Sequence, residues 1–482
     1  MDSTEGHRLV HLDLKGAPPK ISYYEKLFPL LHQLGATGLL VEYEDMFPYS
    51  GELEVLACKD AYRKDEIEKF KSLAETNNLL VMPLVQTFGH FEFVLKHDKF
   101  RHLREVPNYP MALCPALEES FKLVCDMIGQ VVELHPGLPW FHIGADEVFH
   151  MGVCDKCKSK KLHDIYLVYI KKLALHLRKQ YPGMRPVMWD DVYRGWPLEL
   201  LQGSGIGDLV EPMVWNYNRT LHFPPGIWER YSSVFDNIWF ASAFKGATGS
   251  AMYLTDFGYH CDNHLSWLAV MKEEKARLKT IRGVALTGWQ RYDHYAVLCE
   301  ILPVSIPCLA LCLQTLVNGS FTPDIHQNVS QALHFKDLIP CNPFLVTEDV
   351  LCGDFPGSAI YKLLHILLKM NAEYEDFLKD DRLNGWMTPF HIKHGFTNPV
   401  HIEHVMCGAT RVLENLRQIL ARLQQELPVV FYQSMVEEWL EINVISKVKQ
   451  MEEIVKNCTK QIAIGGRIAD YEGVEESMNE CT

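Results

Sequence analysis

Short apolar runs alternate with amphipathic stretches through roughly the first 320 residues, the pattern of a parallel sheet wrapped by helices. The runs fall at Leu9–Leu14, Gly38–Glu42, Leu79–Val85, Trp140–Gly144, Pro186–Trp189, Leu209–Trp215, Ile238–Phe244 and Gly283–Trp289. Between them the apolar positions change period. Leu162, Ile165, Tyr166, Tyr169, Ile170, Leu173 and Leu177 form one stripe at helical spacing. Tyr24, Leu27, Phe28, Leu31 and Leu34 form another, which Gly35 is expected to stop as a C-cap. Eight β–α alternations predict a (β/α)8 TIM barrel, which needs about 250 residues. A doubly wound open sheet is the alternative, but six strands would be more usual for it, and no dinucleotide fingerprint or phosphate loop follows the first run.

The texture becomes looped from Asp337 to Gly357, and three long helical patterns follow at Ser358–Leu378, Val400–Leu427 and Gln433–Lys456. The expected organisation is therefore a barrel over 1–325, a connecting segment over 326–357 and a helical C-terminal region over 358–482, its last residues from Ala463 a polar tail. The helices are expected to pack on the barrel or on a second copy, as in a homodimer. Ile301–Val317 carries no charge, but it falls short of the ~20 residues of a membrane span and holds Pro303 and Pro307. It reads as a buried helix.

Charge narrows the partners. The 482 residues carry 47 Lys and Arg against 61 Asp and Glu, a net charge of −14. Nucleic acid and anionic membrane surfaces are poor partners for such a surface. The first residues, MDSTEGHRLV, show no basic or apolar signal region. A cytoplasmic and nuclear location with reduced thiols is the expectation.

In a barrel the chemistry lies where strands end. The first run ends in His11 and Asp13, the second in Glu42, Glu44 and Asp45, the third in Gln86-Thr-Phe-Gly-His90. The fourth ends in Gly144-Ala-Asp146-Glu147, the fifth in Trp189-Asp190-Asp191, the sixth in Trp215-Asn-Tyr217, the eighth in Trp289-Gln-Arg-Tyr. One tryptophan at a strand end is usually core; several beside carboxylates suit a sugar, whose ring stacks on aromatic faces while its hydroxyls donate to carboxylates. Asp146 and Glu147 repel each other as neighbours, so one of the two is expected to hold its proton to higher pH.

The run His142-Ile-Gly-Ala-Asp146-Glu147-Val resembles the signature of glycoside hydrolase family 20, the β-N-acetylhexosaminidases. Gly89-His90 is similar to that family's Gly-His, and Trp189, Trp215 and Trp289 fall where its pocket tryptophans fall. His11-Leu-Asp-Leu-Lys-Gly-Ala-Pro-Pro, Glu42–Tyr49 and Ser242–Gly249 are closer still to a nucleocytoplasmic branch of the family. The resemblance implies an exo-glycosidase that removes terminal β-linked N-acetylhexosamine, with GalNAc preferred over GlcNAc, and that acts on glycans or glycoconjugates. It implies a retaining, substrate-assisted route in which Glu147 is the acid and base, Asp146 orients the acetamido group and His90 holds both. Trp189, Trp215, Trp289 and Tyr217 would enclose the sugar, and Asp13, Glu44 and Asp191 are further substrate-binding candidates. No metal or organic cofactor is implied. Glu147 is expected to be raised by Asp146 and by aromatic walls. The chain departs from the family at two places. Gly16, beside Lys15, stands where relatives carry a sugar-binding Arg, and Trp289-Gln290-Arg291 replaces Trp-Gly-Glu.

Two other readings keep a place: a retaining glycosidase with Asp190, Asp191 or Glu44 as covalent nucleophile, and a catalytically silent sugar-binding barrel. Cys154-Asp-Lys-Cys157 has no second Cys-x-x-Cys and no spaced His pair, so it reads as a surface turn with two thiols.

Overall fold

The computed structural model describes residues 6–342 and 353–466. Ten strands follow in chain order: β1 (His7–Asp13), β2 (Gly38–Glu42), β3 (Leu80–Leu84), β4 (Arg104–Val106), β5 (Tyr109–Leu113), β6 (Trp140–His142), β7 (Arg185–Trp189), β8 (Glu211–Trp215), β9 (Asn237–Lys245) and β10 (Thr280–Gly288). Eight of them close a parallel barrel in the order β1-β10-β9-β8-β7-β6-β3-β2. All eight apolar runs become barrel strands, because parallel strands are covered on both faces and so read as near-continuous apolar runs. Inside the barrel, Leu9, Leu40, Met82, Leu84, Val187, Trp189, Met213, Trp239, Ala241 and Ala285 form the core.

The hairpin β4–β5, paired antiparallel through Val106 and Tyr109, was not legible. It interrupts the connection from β3 to the helix Glu118–Leu134, and its one apolar stretch, Met111-Ala-Leu-Cys114, lies between two prolines and is too short to stand out as a strand. Elsewhere the helical stripes appear as read. The first becomes the helix Leu162–Gln180. The second becomes Ile21–Gln33, with Gly35 just beyond it at φ +89°. Ile301–Val317 corresponds to the helix Leu302–Asn318, buried on nearly every side and capped by Gly319 in the left-handed conformation. No helix among the described residues is long and apolar enough to cross a membrane.

The chain divides into two compact units, Met1–Ser358 with Val430–Tyr432, and Ala359–Val429 with Gln433–Thr482. The helix Pro323–Ala332 spans position 325, where the barrel was expected to end. Part of the expected connecting segment, 343–352, and the tail from 467 lie outside the described residues. In the second unit the three long patterns appear as Ser358–Leu378, Pro399–Val430 and Gln433–Ile464, the last interrupted by a π-turn at Glu441–Ile445. Met387, Ile402, Val405 and Cys458 form a small core there.

Candidate active site

The C-terminal mouth of the barrel holds a cleft of about 230 Å³, lined by Lys15, Glu42, Gln86, His90, Asp146, Glu147, Trp215, Tyr217, Gly246, Ala247, Trp289, Arg291 and Tyr292. Its floor is built by the turn after β6. Gly144 has φ +61°, Ala145 φ +69° and Glu147 φ +44°, and His90, on the facing loop, has φ +48°. Three non-glycine residues in the left-handed region around one cleft are backbone strain concentrated where chemistry is expected. Gly144 has a second reason to lack a side chain: a Cβ there would lie 2.0 Å from Gln86 Oε1.

Neighbouring groups hold this turn in place. Asp191 Oδ2 accepts from the Glu147 N–H at 2.9 Å, and Gln86 Oε1 from the Ala145 N–H at 3.3 Å. Tyr166 donates to the Ala145 carbonyl at 2.8 Å, and Tyr169 to the Thr87 carbonyl at 2.7 Å. Both tyrosines belong to the stripe read as apolar from the sequence. Their rings do fill the core, and their phenols pin the two loops that carry His90 and Asp146.

His90, Asp146 and Glu147 form one titrating cluster. His90 Nε2 lies 3.1 Å from Glu147 Oε2 and 3.5 Å from Asp146 Oδ2. Burial alone would lower the imidazole's pKa, but Asp146 and then Glu147 overcome it and push it up to about 10. The imidazolium therefore donates to Glu147. Asp146 is pushed up to about 7, chiefly by burial, which the Asp191 and Glu147 charges reinforce against the opposing His90 cation. Glu147 is lowered, chiefly by its hydrogen bond from His90, which outweighs its partial burial. This corrects the expectation that Glu147 would be the raised member of the pair: it is the more exposed carboxyl and the one His90 hydrogen-bonds. The buried partner keeps the proton instead. Asp146 Oδ1 is buried with no hydrogen-bond partner.

Of the other candidates, Trp215, Tyr217 and Trp289 line the cleft; Trp215 and Tyr217 stack with centroids 5.1 Å apart. Three candidates lie elsewhere. Trp189 is fully buried in the barrel core, 4.4 Å from the His142 ring and 6.1 Å from that of Trp289. Asp13 is buried and accepts from the backbone N–H groups of Lys15 at 3.0 Å and Gln290 at 2.7 Å. Glu44 is buried against Lys15 and His294. These carboxylates sit among strand-end loops whose own N–H groups and cations they satisfy, so they support the mouth rather than face into it. Asp191 is likewise occupied, on one side by Glu147 and on the other by the Trp215 indole at 3.3 Å. Asp190 is fully buried, with both oxygens on Arg194 at 2.6 and 2.9 Å.

Lys15, Glu42, Gln86 and Arg291 also line the cleft, beyond the site residues expected from the sequence. Glu42 and Gln86 stood at strand ends and carried that signal. Arg291 depends on a contact between distant loops: Gly16, at φ +73°, leaves a space in which a Cβ would lie 2.2 Å from Arg291 Nη2.

A closed parallel barrel whose mouth holds an acid pair, one member buried and one partly exposed, with a histidine and aromatic walls, is the setting in which sugar-cleaving enzymes work. The chain belongs to glycosyl hydrolase family 20, whose catalytic domain matches residues 23–220. It is 41% identical over 464 residues to Hexosaminidase D of Homo sapiens, covering 94% of both chains. Hexosaminidase D of Bos taurus is 49% identical over 340 residues, 69% of this chain and 98% of the bovine one. The crystal structure of β-N-acetylhexosaminidase from Bacteroides fragilis shares the fold, with a TM-score of 0.50 at 14% identity over 68% of this chain and 70% of that one.

Proposed function

We propose that the protein is a β-N-acetylhexosaminidase that releases terminal β-linked N-acetylhexosamine by a retaining, substrate-assisted route, the exception to the two-carboxylate scheme that this family represents. One observation carries the proposal: a buried carboxyl, Asp146, with an unpartnered oxygen beside the Glu147–His90 pair. In this reading the acetamido N–H of the substrate donates to that oxygen, which turns the acetamido carbonyl toward C1. The carbonyl oxygen attacks C1 as Glu147 gives a proton to the departing glycosidic oxygen, and the ring closes to an oxazolinium ion. Glu147 then takes a proton from water, which opens the ion with net retention. Ionised Asp146 offsets the positive charge of the intermediate, and Trp215, Tyr217 and Trp289 exclude competing water.

The preference for GalNAc over GlcNAc is what the family resemblance implies, and Lys15 and Arg291, which line the cleft, are the residues proposed to set it. Work in the cytoplasm and nucleus, at near-neutral pH, fits a cluster containing a carboxyl raised to about 7.

The covalent-nucleophile reading loses ground because Asp190, Asp191 and Glu44 are engaged by cations or N–H groups. A chromogenic β-N-acetylgalactosaminide and its glucosaminide counterpart test the class; both are expected to turn over, the former with higher kcat/KM. A thiazoline analogue of the cyclised intermediate is expected to inhibit strongly. A fluorinated sugar that labels a protein carboxylate would overturn the route, and sugar binding with no turnover at any pH would revive the silent barrel.

A further inference from the structure

The two thiols of Cys154-Asp-Lys-Cys157 do not form a surface turn on their own. Cys157 is fully buried, and the unforeseen hairpin β4–β5 brings a third thiol to them. Cys114, one residue beyond β5, places its Sγ 3.5 Å from that of Cys154 and 3.9 Å from that of Cys157. Glu105, in the middle of β4 and only 2% exposed, completes the group. Its Oε1 accepts from the N–H groups of Val153 at 2.8 Å and Cys154 at 3.0 Å, while Oε2 is buried with no partner. One ligand atom from each of the four residues lies within 4.8 Å of the others.

We propose that Cys114, Cys154, Cys157 and Glu105 bind a structural zinc ion that clamps the hairpin to the loop following the catalytic carboxylates. Four ligands at tetrahedral angles, with Zn–S bonds of about 2.3 Å, put sulfurs about 3.8 Å apart, close to the 3.5 and 3.9 Å that separate Cys114 Sγ from those of Cys154 and Cys157. A disulfide would need about 2.05 Å between sulfurs and would strand the third thiol. Three soft thiolates and one carboxylate oxygen select zinc over the hard cations that oxygen cages hold. All four positions are filled by protein, which makes the site structural rather than catalytic. Three thiolates, one carboxylate and Zn²⁺ leave two negative charges, and Lys156, Lys158, Lys160 and Lys161 crowd the same turn.

The clamp joins two parts of the mouth. The hairpin is already bonded to the loop that carries His90, through Phe91 N–H to the Met111 carbonyl at 3.0 Å and Leu113 N–H to the Phe88 carbonyl at 3.4 Å. Across the clamp lies the loop that starts with Asp146 and Glu147 and runs to Cys157. The ring of His150 in that loop stacks on Tyr109 of β5 at 4.6 Å. The ion would thereby fix the spacing of the His90 loop and the Glu147 loop.

Elemental analysis of full-length protein purified under reducing conditions without chelator is expected to find about one zinc per chain. Cobalt exchanged into the wild type is expected to give thiolate-to-cobalt charge-transfer absorption in the near ultraviolet and strong tetrahedral bands in the visible. Neither measurement requires a variant to fold. Cys114→Ser and Cys154→Ser should lose the metal and the charge-transfer band. Glu105→Gln should keep the band while its affinity for zinc falls at least about tenfold. Cys407→Ser, at an exposed thiol in the second unit, should change nothing. Chelation of the wild type is expected to lower the melting temperature. Protein that contains no zinc, takes up none on titration and shows no cobalt–thiolate band would overturn the proposal. So would a Cys114–Cys154 disulfide found by mass spectrometry in the native protein.

Discussion

The two ends of the barrel use the same kinds of residue for opposite purposes. At the N-terminal end, Glu211 at the start of β8 is buried and fully engaged. Its Oε2 accepts from the indoles of Trp140 at 3.1 Å and Trp239 at 2.9 Å, and its Oε1 from Arg282 at 3.0 Å. His7 packs against both tryptophans, at 5.2 and 5.7 Å. At the C-terminal end, carboxylates, tryptophans and a histidine meet again, but Asp146 Oδ1 has no partner, the pKa values within the cluster are pushed apart, and the backbone is held in the left-handed region. A carboxylate with every acceptor site filled is a plug. One left partly unfilled in a strained cleft is available to a substrate, which is why the tops of such barrels carry chemistry and the bottoms carry stability.

The largest effect should come from Glu147→Gln. Removing the proton donor is expected to cut kcat about 10²- to 10⁴-fold. Urea unfolding should stay within about 0.5 kcal/mol of the wild type, because the side chain is partly exposed. Retention of more than about a tenth of the activity would show that Glu147 is not the general acid.

Asp146→Asn should break the cluster's proton arithmetic as well as its rate. Below about pH 7 the wild-type cluster holds two protons, on His90 and Asp146, with Glu147 ionised. Moving the Asp146 proton to Glu147 gives the working form, an acid beside an ionised Asp146, without changing the number of protons bound. The alkaline limb of kcat/KM therefore falls near pH 7, where Asp146 loses its proton, and the acid limb follows the lowered pKa of Glu147. In Asp146→Asn the second proton can reside only on Glu147, which His90 holds below the ordinary carboxylate value. The alkaline limb should then move to lower pH by about two units or more, and kcat at the optimum should fall about 10²- to 10³-fold. A limb that stays near pH 7 would assign it to another group.

Glu211→Ala is the mirror experiment at the other end. It strands two buried indole N–H groups and a partly buried guanidinium, so unfolding free energy should drop by about 2–4 kcal/mol. The kcat of the folded fraction should stay close to wild type. A large loss of kcat without a loss of stability would mean that the plug couples to the mouth.

The barrel was legible because each of the eight strands holds a short, largely apolar run and the helices between them keep a helical period. The acid pair was legible because Asp146 and Glu147 follow one of those runs directly. Burial of a strand-end residue, by contrast, depends on what the neighbouring loops supply. Asp13 and Trp189 stand at strand ends as plausibly as Trp289 does, yet Gln290 and Lys15 close over the first, and the second lies in the barrel core. Which member of the acid pair keeps the proton was also hidden, since it turns on how His90 approaches from another loop. Cys114 and Glu105 carried no signal beside Cys154 because a 40-residue gap separates Cys114 from it and the short apolar stretch Met111-Ala-Leu-Cys114 does not by itself announce the hairpin that closes the gap.

The smallest expected effect tests how the mouth was rearranged at its sugar-binding end. Gly16 follows the strand-end Asp13 by three residues, and its missing side chain leaves room for the Arg291 guanidinium. In Gly16→Ala the new Cβ would meet Nη2 at 2.2 Å and Nε at 2.6 Å, so the tip of Arg291 must move, which a long side chain does easily. The backbone is less tolerant, since φ +73° costs a non-glycine residue about 1 kcal/mol of stability. If Arg291 binds a substrate hydroxyl in ground state and transition state alike, KM should rise about tenfold, the lower end of a hydrogen bond to a charged group. The same reasoning leaves kcat within about twofold, because the groups that act at C1 are untouched. Arg291→Met separates the two contributions: it should reproduce the higher KM without the backbone cost at position 16. A fall in kcat with KM unchanged in both variants would place Arg291 in the chemistry rather than in binding. An unchanged KM in both would return the sugar-binding role to Lys15 alone.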